Sequence, residues 1–591
     1  MVAGSWLATS VRSSLSDLLE AQARHARGDL RGAAEICRAL LAERPEDADI
    51  LHLLALILSQ GGQSAAAIPI YARAIAVGGA QPTLLYNYGV ALRENGQLTE
   101  AARSFRLAID AGLNDDETWF ALGNARAALG QHEEAELALL HAAELAPTRA
   151  EIWNNLGLAR LRRGRAAEAI IAFTAAVRQS PDYLEARLML GLAEQRSGLL
   201  QRARATFGDA TRRAPESASA HGHLGNVLRD LGEFPAANAC FALAFARAPD
   251  DPELIGNRAL ALQHAGRLDD AIAEYRHALT LAPDHEGLRS NLAQALLLGG
   301  HYKDGWAEFE SRLKDPEIAA LLADLPGKRW AGEALGGRSI LLRCEQGLGD
   351  ALQFARYVPL LAERGASVHM MGPARLGPLM RSLKGLAGYT ADGEAPPAAD
   401  VHAPLMSVPH LLGDDEIPAD VPYLSAEPAR VDYWRRALGV GRQPLIGVAW
   451  QGNPSYPMDY LRSIPSALAA ELRTEIEMAS GARLVILQHG VPGAPNLDAE
   501  GAFLDTAAIM QLVDLVITSD TAIPHLAGAL ARPIWMLLPA APDWRWGLET
   551  DASPWYPTMR IFRQPRAGDW RSVFQRVAEA LKNRAWLSTT P

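Results

Sequence analysis

The sequence predicts a chain of two halves, an all-helical repeat array followed by an α/β unit of two lobes. Three observations support this division. Glycine recurs every 34 residues through the first half, and the apolar residues between these glycines keep helical spacing. From residue 338 onward, short apolar runs alternate with helical segments, as in α/β domains. The length of 591 residues is too great for one core, which agrees with several domains.

Composition and charge exclude several classes of protein. The net charge of −11 argues against a general nucleic-acid binder, which normally shows a basic face. The three cysteines lie far apart with no CxxC pair, which suits a reducing compartment and gives no zinc-site spacing. No uncharged apolar run approaches the roughly 20 residues of a membrane helix, and the first residues lack signal-peptide features. We therefore expect a cytoplasmic protein without a membrane or nucleic-acid partner.

The repeat is regular over nine units. The glycines that define it are Gly28, Gly62, Gly96, Gly130, Gly164, Gly198, Gly232, Gly266 and Gly300. A small residue stands five positions after each glycine and an apolar residue nine positions after it, as in Ala101 and Phe105. Glycine ends the first helix, the small residue lets two helices touch, and the apolar residue fills the gap. Prolines such as Pro147 then stop the second helix in many units.

This is the pattern of the tetratricopeptide repeat, and it predicts an array over residues 14–319. Each unit is a helical hairpin that packs on its neighbours, so the array forms a superhelix with a concave groove. Grooves of this kind bind peptides and proteins. We therefore predict a protein partner for the first half of the chain.

The sixth position of each unit lies on the first helix and should face the groove. From the third unit onward this position holds Asn87, Ala121, Asn155, Met189, His223, Asn257 and Asn291. A carboxamide offers both donors and acceptors, so a row of asparagines can hold a peptide backbone with little regard for its sequence. The row resembles the asparagine ladder of O-GlcNAc transferases and predicts an acceptor groove at the four asparagines. The alternative is that these are polar residues on a solvated face.

The ninth unit departs from the pattern. Gly305 and Trp306 replace the usual alanine, and Arg312 stands where another alanine belongs. Trp306 is therefore expected to pack outward, onto whatever follows the array. The period is lost after this unit, so residues 320–337 are predicted as a linker.

Residues 338–430 and 440–575 are predicted as two Rossmann-like lobes, followed by a tail at 576–591. Strands are expected at 339–344, 368–371, 400–403, 444–450, 483–488, 512–518 and 533–538, with a helix over 351–364. Two such lobes favour the GT-B arrangement, in which both substrates bind in the cleft between the lobes. The predicted fold class is thus an all-α tetratricopeptide superhelix followed by an α/β GT-B unit.

The stretch from Ser519 onward follows a buried strand and opens a helix. Ser519, Asp520 and Thr521 therefore fall at the carboxyl end of a strand, where open α/β sheets bind ligands. His525 lies one turn further on. Free N–H groups and the helix dipole make such a corner suited to phosphate. The alternative is an ordinary helix-capping turn.

A series of motifs in roughly residues 338–575 resembles the tetratricopeptide-fused bacterial glycosyltransferases. The motifs are EQGLGDALQFARY at 345–357, DTAA at 505–508, SDTA at 519–522 with His525, APDWRW at 541–546 and SPWYP at 553–557. These enzymes are related to the lipopolysaccharide heptosyltransferases and, more distantly, to O-GlcNAc transferase. The overall plan is similar to that of bacterial flagellin glycosyltransferases.

The resemblance implies roles for individual residues. Asp350 is the candidate general base that takes a proton from the acceptor hydroxyl, although aspartate at this place also suits a helix N-cap. His525 is the second catalytic candidate, because it would hydrogen-bond or protonate the phosphate as the nucleotide leaves. The donor site is expected at Gly347, Gly349, Trp450, Asn453, Arg462, Gln488, Ser519, Asp520, Thr521 and Ala522.

One loop departs from the family pattern. The related enzymes carry a lysine in a basic loop after Trp-x-Gly-Asn, whereas this chain has Pro457 at that position and only Arg462 as a cation. A lysine would neutralise a leaving diphosphate, so its loss suggests either a donor linked through one phosphate or weakened catalysis. The second half also lacks an Asp-x-Asp pair, so we expect no metal, and no cofactor besides the nucleotide sugar that serves as substrate.

The residues and the resemblance together predict a protein O-glycosyltransferase. The repeats would recruit a protein acceptor, suspected to be flagellin, and the lobes would transfer a sugar to its serine or threonine. The missing lysine favours a CMP-nonulosonic acid donor, such as that of pseudaminic or legionaminic acid. Two alternatives stay open: an O-GlcNAc-type transferase that uses UDP-GlcNAc, and a non-catalytic repeat adaptor with a degenerate transferase domain.

Overall fold

Helical hairpins make up the first half of the chain, and two parallel sheets lie in the second. The computed structural model describes residues 16–413, 415–452, 459–488, 491, 493–495, 497, 502–548, 550–566, 568–583 and 586. The chain divides into two compact units, Met1–Val227 and Leu228–Pro591. Helix Ala218–Asp230 contains the point of division.

The first unit consists of helices joined by short turns. Residues 16–26 are helical, and the helices that follow are Leu30–Glu43, Ala48–Gln60, Ser64–Gly78, Pro82–Glu94, Leu98–Asp110, Asp116–Ala128, His132–Leu145, Ala150–Arg162, Ala166–Gln179, Leu184–Arg196 and Leu200–Arg213. Consecutive helices pack on one another. This is the stacking of helical hairpins that the repeat predicts.

The 34-residue period has a cause in the backbone. The nine turn glycines from Gly28 to Gly300 have φ between +73° and +83°, which residues with a Cβ rarely adopt. The alanines five positions later, such as Ala101, are fully buried. Further glycines lie inside helices, where a Cβ on Gly157 would stand 2.6 Å from the ring of Phe173. The predicted close approach of neighbouring helices is confirmed.

The second unit contains the last repeats together with both sheets. Its helices before the sheets are Phe234–Arg247, Pro252–His264, Leu268–Leu281, Glu286–Leu298, Tyr302–Phe309 and Pro316–Leu322. Trp306 packs edge to face on Phe354 of the first lobe and Trp544 of the second, with ring centroids 5.8 and 5.5 Å apart. This is the outward packing predicted for Trp306. It also explains why the last repeats belong to the same compact unit as the sheets.

The first lobe is built on a parallel sheet. Its strands are β1 (Lys328–Arg329), β2 (Ser339–Arg343), β3 (Ser367–Gly372), β4 (Leu386–Ala391) and β5 (Val401–Pro404), in the order β1-β5-β2-β3-β4. The helices of this lobe are Leu348–Phe354, Tyr357–Glu363, Gly377–Met380 and Val408–Leu412. Each neighbouring pair of strands is parallel, so the carboxyl ends of β2 and β5 lie at the same edge of the sheet.

The second lobe repeats this plan. Its strands are β6 (Leu445–Ala449), β7 (Arg483–Ile486), β8 (Leu515–Ser519), β9 (Ile534–Leu538) and β10 (Met559–Arg563), in the order β10-β9-β8-β6-β7. Its helices are Pro428–Ala437, Asp459–Arg462, Ser466–Ser480, Ala502–Met510, Ala522–Ala529 and Trp570–Lys582. Every residue of β6, β8 and β9 is buried, which explains their nearly continuous apolar sequences.

Several elements differ from the sequence predictions. β1 falls inside the segment predicted as a linker, and β4 and β10 were not predicted. The single helix predicted over 351–364 is two helices, which separate at Ala355 and Arg356. Pro359 is the physical reason, because a proline lacks the N–H that a continuous helix needs but is tolerated in the first turn of a new one.

Candidate functional site

The two turns singled out in the sequence each follow a central strand. In the first sheet β2 lies between β5 and β3, and in the second β6 lies between β7 and β8. In the first sheet the chain runs from β2 outward to β3 and β4 and then returns to β5 on the other side of β2. In the second sheet the connection from β6 leads to β7 on one side, and the connection from β8 leads to β9 on the other. Such a reversal opens a crevice at the carboxyl ends of the strands, where α/β sheets bind ligands. The glycine turn, residues 344–350, follows β2, and the serine turn, residues 519–525, begins at the end of β8. Both turns therefore occupy positions suited to a ligand.

Asp350 folds the glycine turn onto itself. Gln346 has φ of +62°, and Gly347 is the N-cap of helix Leu348–Phe354. One oxygen of Asp350 accepts a hydrogen bond from the N–H of Gly347 at 2.8 Å. Asp350 is therefore the third residue of the helix rather than its N-cap, and it binds the N-cap N–H as in a capping box.

The serine turn separates its capping residue from its other polar groups. Thr521 caps helix Ala522–Ala529, since its hydroxyl oxygen accepts from the N–H of Ile523 at 3.2 Å. Ser519 is fully buried, and its hydroxyl has no hydrogen-bond partner among the described residues. Thr521 therefore fills the capping role, while Ser519 keeps a buried polar group for another contact.

The two turns meet across the lobes. Helix Leu348–Phe354 packs on helix Ala522–Ala529. A Cβ on Gly349 would lie 3.0 Å from Cδ2 of His525, so a larger residue there would force these helices apart. Gly349 thus brings Asp350, its neighbour in the chain, close to the buried imidazole of His525.

Arg545 connects the lobes at this point. It forms an ion pair with Asp350, and its Nε donates to the side-chain oxygen of Gln353 at 2.7 Å. Its Nη1 donates to Asp543 at 2.9 Å. Burial by itself lowers the pKa of Arg545, but Asp543 and Asp350 outweigh it and raise that pKa, so the guanidinium stays charged. The predicted base is therefore held by a buried cation from the opposite lobe.

His525 is buried between aromatic rings. Its Nδ1 lies 3.1 Å from the hydroxyl of Tyr556, and its ring stacks on Trp546 with centroids 5.4 Å apart. Burial lowers the pKa of His525 well below 6.5, and the nearby charges of Arg545 and Arg356 lower it further. The imidazole is neutral at pH 7, so it can donate a hydrogen bond but does not carry a proton to give away. The hydrogen-bonding role is favoured over the protonating one.

Asp520 has the opposite titration behaviour. Its side chain is buried at the end of β8. Burial raises the pKa of Asp520 to about 7, and the carboxylate of Asp543 acts in the same direction. Asp520 can therefore hold a proton near neutral pH, as a donor of a hydrogen bond or of a proton to a leaving phosphate must.

Gln488 forms hydrogen bonds with the first residues after β6. Its side-chain oxygen accepts from the backbone N–H groups of Trp450 and Gln451, both at 3.2 Å. The oxygen predicted to face a nucleotide is thus directed at the chain's own backbone. The indole of Trp450 is buried in the core of the second lobe.

The basic residue of the same loop is also paired. Arg462 donates from Nε to Asp459 at 3.0 Å and keeps a side-chain exposure of 30%. Its charge is near enough to His525 and Asp520 to lower the pKa of both. Asn453 and Pro457 lie outside the described residues.

The asparagines of the predicted ladder lie on the first helices of their repeats. In the first unit, Asn87 contacts Nε2 of His52 at 3.0 Å, and Asn155 donates to Asn124 at 2.8 Å. These side chains therefore engage neighbouring polar groups of adjacent repeats. All are half-buried rather than fully solvated.

In the second unit, Asn257 and Asn291 lie on helices Pro252–His264 and Glu286–Leu298. Both are half-buried, and within the described ranges neither carboxamide has a hydrogen-bond partner. Two carboxamides one repeat apart thus remain available to a peptide.

Three residues at the meeting of the lobes were not predicted as site residues. They are Gln353, Arg545 and Tyr556. Each stands inside a motif that carries the family resemblance, and that membership was the available signal. The contacts of Arg545 with Asp350 and Gln353, and of Tyr556 with His525, cannot be read from spacing, because the partners lie in distant segments of the chain.

The described part of the chain offers no group of three or more His, Cys, Asp or Glu side chains arranged to hold a metal ion. Across the same residues, the helices are all too short or too polar to cross a membrane.

Comparison with known proteins identifies the helical half. A family model described as tetratricopeptide repeat matches residues 18–82, 52–116, 120–183, 188–252 and 223–286. The predicted class of repeat is thereby confirmed. The helical half of the chain therefore contains tetratricopeptide repeats, and the second half carries two parallel sheets.

A curated relative is protein FlbA of Caulobacter vibrioides, which is 30% identical over 312 residues. The match covers 47% of this chain and 52% of FlbA, so the chain spans about half the length of this relative.

Solved structures of repeat proteins also match. YrrB, described as a TPR protein with an unusual peptide-binding site, is 24% identical with a TM-score of 0.30, over 32% of this chain and 96% of YrrB. A thermophilic TPR protein of Thermus thermophilus is 30% identical with a TM-score of 0.27, over 31% of this chain and 99% of its own. Each match covers about a third of the chain.

Proposed function

We propose that this protein is a glycosyltransferase that moves a sugar from a nucleotide-activated donor to serine or threonine of a protein acceptor. The observation that carries the proposal is the meeting of two polar turns at the switch points of two parallel sheets. Gly349 and Asp350 come from one lobe, and His525 and Asp520 from the other. A carboxylate facing a phosphate-type helix terminus across two lobes is the arrangement that group transfer between two substrates needs.

The proposed reaction assigns one step to each side of the cleft. The acceptor oxygen forms a bond to the anomeric carbon as the bond from that carbon to the phosphate oxygen breaks. Asp350 takes the hydroxyl proton, and the nucleotide leaves with the electron pair. A hydrogen bond from His525 and the N–H groups that begin helix Ala522–Ala529 stabilise the phosphate. The absence of an Asp-x-Asp pair from the second half suits a reaction without an obligatory metal.

The proposed donor is a sugar linked through one phosphate. The family lysine is replaced by Pro457, and the charge of Arg462 is shared with Asp459. A loop with one shared cation suits a single phosphate better than a diphosphate. A CMP-nonulosonic acid, such as that of pseudaminic or legionaminic acid, is the donor of this kind that the resemblance implies.

The proposed acceptor is a protein held by the repeats. Tetratricopeptide arrays serve as extended binding surfaces, and Asn257 and Asn291 present carboxamides that can bind a peptide backbone. Flagellin is the acceptor implied by the resemblance to flagellin glycosyltransferases.

Two other functions have support. An O-GlcNAc-type transferase that uses UDP-GlcNAc follows from the asparagine row. A non-catalytic adaptor is favoured by the ion pair of Asp350 with Arg545 and by the backbone contacts of Gln488. In an adaptor these polar groups would only join the lobes.

The first experiment measures thermal stabilisation of the full chain by CMP, UDP, GDP and ADP in parallel. The full chain is needed because Trp306 of the last repeat packs on both lobes. A ligand that binds only the folded protein at 100 times its Kd stabilises it by about 2.7 kcal/mol. A shift with CMP supports the nonulosonic acid donor, a shift with UDP supports the hexosamine donor, and no shift supports the adaptor.

The second experiment measures transfer to flagellin by the mass of the product. We expect transfer by the wild type and a loss of about 100-fold or more in Asp350→Asn, the size of a general-base contribution. Asp392→Asn is the matched control, because Asp392 is likewise an aspartate of the first lobe that forms an ion pair with an arginine. Its partner is Arg343, at 2.7 Å. Full transfer by Asp350→Asn would remove Asp350 as the base.

A further inference from the structure

Arg545 lies near more acidic side chains than its single positive charge can balance. Its bonds to Gln353, Asp543 and Asp350 use three of the five N–H donors of an arginine. Two of these three partners are carboxylates, and Asp520 is close enough to interact with Arg545 as well. The guanidinium thus lies near acidic side chains of both lobes, namely Asp350 of the first and Asp543 and Asp520 of the second.

Among the described residues, buried hydrogen-bond donors without acceptors include one on Gln353, which binds Arg545, and one on Ser519, which precedes Asp520 in the chain. The side-chain nitrogen of Gln353 has no partner among the described residues, although its oxygen binds Arg545 and the residue is fully buried. The hydroxyl of Ser519 is in the same condition at the end of β8. Buried donors without partners are rare because a polar group loses its hydrogen bonds to water on burial. The Gln353 nitrogen belongs to the carboxamide that binds Arg545, so an acceptor oxygen that a ligand brings to Arg545, such as a phosphate oxygen, can satisfy it.

We propose that Arg545 is the phosphate-binding cation of the donor site, and that it exchanges Asp350 for a phosphate oxygen when the nucleotide sugar binds. This inference rests on the proposed glycosyltransferase function. In the exchange, the guanidinium keeps its bonds to Gln353 and Asp543 and gives its third bond to the phosphate. Asp350 then loses its ion pair, and its carboxylate becomes available to the acceptor hydroxyl when the donor is in place.

Electrostatics makes an exchange more favourable than simple addition of the phosphate. A phosphate that entered beside Asp350 and Asp543 would meet two carboxylates in a partly buried site, where like charges repel more strongly than in water. If the phosphate takes the place of Asp350 on Arg545, that repulsion falls and a planar guanidinium meets phosphate oxygens in a suitable geometry.

The other buried arginine near His525 is not suited to this exchange. Arg356 donates to the backbone carbonyls of Gln353, Pro418 and Trp555. It also lies against the rings of aromatic residues of both lobes. Carbonyl partners are fixed parts of the backbone, whereas the carboxylate side chain of Asp350 can turn away. Arg545 is thus the cation that can change partners.

The test compares the affinities of CMP, UDP and cytidine for the full chain by calorimetry. We expect Arg545→Gln to weaken the nucleotide that binds by about tenfold or more, the equivalent of one charge-assisted hydrogen bond. Cytidine, which has no phosphate, should bind wild type and variant equally. Arg545→Lys should recover part of the affinity, because it restores the charge without the planar geometry.

The decisive variant is Asp350→Asn. Removal of the competing carboxylate should tighten nucleotide binding about two- to fivefold, as expected for loss of a partly exposed ion pair. The same change in the Arg545→Gln background should tighten binding less, because only the repulsion between Asp350 and the phosphate is relieved and no ion pair competes. This measurement stands even if Arg545→Gln folds poorly, and unchanged or weaker binding by Asp350→Asn would overturn the exchange.

A control variant separates charge from loop structure. Arg563 donates to the carbonyls of Trp546 and Gly547, so Arg563→Gln loosens the same loop without touching the acids of the cleft. If Arg563→Gln and Arg545→Gln weakened nucleotide and cytidine alike, the effect would be structural and the proposal wrong. If no nucleotide bound the wild type, the proposed glycosyltransferase function itself would be wrong. If a nucleotide bound the wild type and Arg545→Gln equally, the exchange alone would be wrong, and the proposed function would stand.

Discussion

Two buried charge clusters of this chain are built in opposite ways. In the first unit, the carboxylate of Glu136 lies among Arg160, Arg163 and Arg165, with N···O distances between 2.6 and 3.0 Å. In the second unit, the guanidinium of Arg545 lies among carboxylates. One cluster surrounds an acid with bases, and the other surrounds a base with acids.

The two clusters differ in the sequence separation of their partners and in whether a hydrogen-bond donor is left unpaired. The arginines around Glu136 stand within 29 residues of it, on the following helix and turn. Asp350 stands 195 residues from Arg545, on the other lobe, and the buried nitrogen of Gln353 beside the pair has no partner among the residues that the structure describes. A short-range, satisfied cluster holds adjacent hairpins together. A long-range cluster with unused donors is the form that a ligand site takes.

The largest expected effect on stability concerns the packing of the cleft. A Cβ on Gly528 would collide with the ring of Tyr556, which is fully buried and holds His525. Gly528→Ala should therefore lower the free energy of unfolding by about 3 kcal/mol. It should also weaken nucleotide binding, because the hydrogen bond between Tyr556 and His525 would be displaced. Urea unfolding and calorimetry measure the two effects.

Intact nucleotide binding in Gly528→Ala would break the comparison between the two regions. It would mean that the aromatic packing around His525 serves only the fold, as the packing between repeats does.

The next effect is a change of stability with pH that Asp520 should produce. Burial raises its pKa to about 7 in the folded state, from 3.8 when exposed. The folded state therefore holds a proton that the unfolded state releases, and this contribution to stability is lost as pH rises toward 7. Asp520→Asn does not titrate, so its stability relative to wild type should rise by about 2 kcal/mol between pH 5.5 and pH 7.5.

His525 supplies the matching control with the opposite sign. Its pKa is lowered, so wild-type stability should fall as pH drops below 6.5, and His525→Gln should be spared that loss. Urea unfolding of the wild type and the two variants at four pH values measures both. A difference between Asp520→Asn and wild type that stays constant with pH would show that Asp520 is an ordinary surface-like acid.

The repeats could be predicted from the sequence almost completely, because each residue acts on near neighbours at fixed spacing. Gly130 needs its conformation and Ala135 its small size within one hairpin. The strand ends that carry Asp350 and His525 were also predictable, since buried strands leave apolar runs. The pairing of Asp350 with Arg545 was not, because no local pattern records a contact between lobes.

The missed strands have a similar explanation. β1 has two exposed residues, and β4 is half-exposed and interrupted by Gly388. Both are edge strands of the first sheet, as β10 is of the second. Edge strands are covered on fewer sides than central ones, so their sequences lack the continuous apolar run that revealed β6 and β8.

A smaller effect is expected at the repeat cluster. Glu136→Gln should lower the free energy of unfolding by about 1.5 kcal/mol, because three arginines lose a charged acceptor. Burial raises the pKa of Glu136, but the arginines outweigh it and lower the pKa overall. The loss should therefore be present at neutral pH and disappear as pH falls below 4.5. Nucleotide binding, measured as above, should not change, and a change would contradict the purely structural role of this cluster.

The smallest effect separates the two uses of glycine. Gly130 has φ of +74° and open space where a Cβ would stand, so Gly130→Ala should cost about 1 kcal/mol of backbone strain and nothing in packing. Gly208 lies in a regular helix, with only Arg212 nearby at 3.7 Å. Gly208→Ala should therefore raise stability by up to about 1 kcal/mol. Urea unfolding of the two variants measures both signs, and equal effects would mean that left-handed backbone does not select the turn glycines. Gly528 has no such φ, yet there is no room for a Cβ on it. The larger loss of stability expected for Gly528→Ala would therefore show that glycine is needed in the cleft for close packing and not for its backbone conformation.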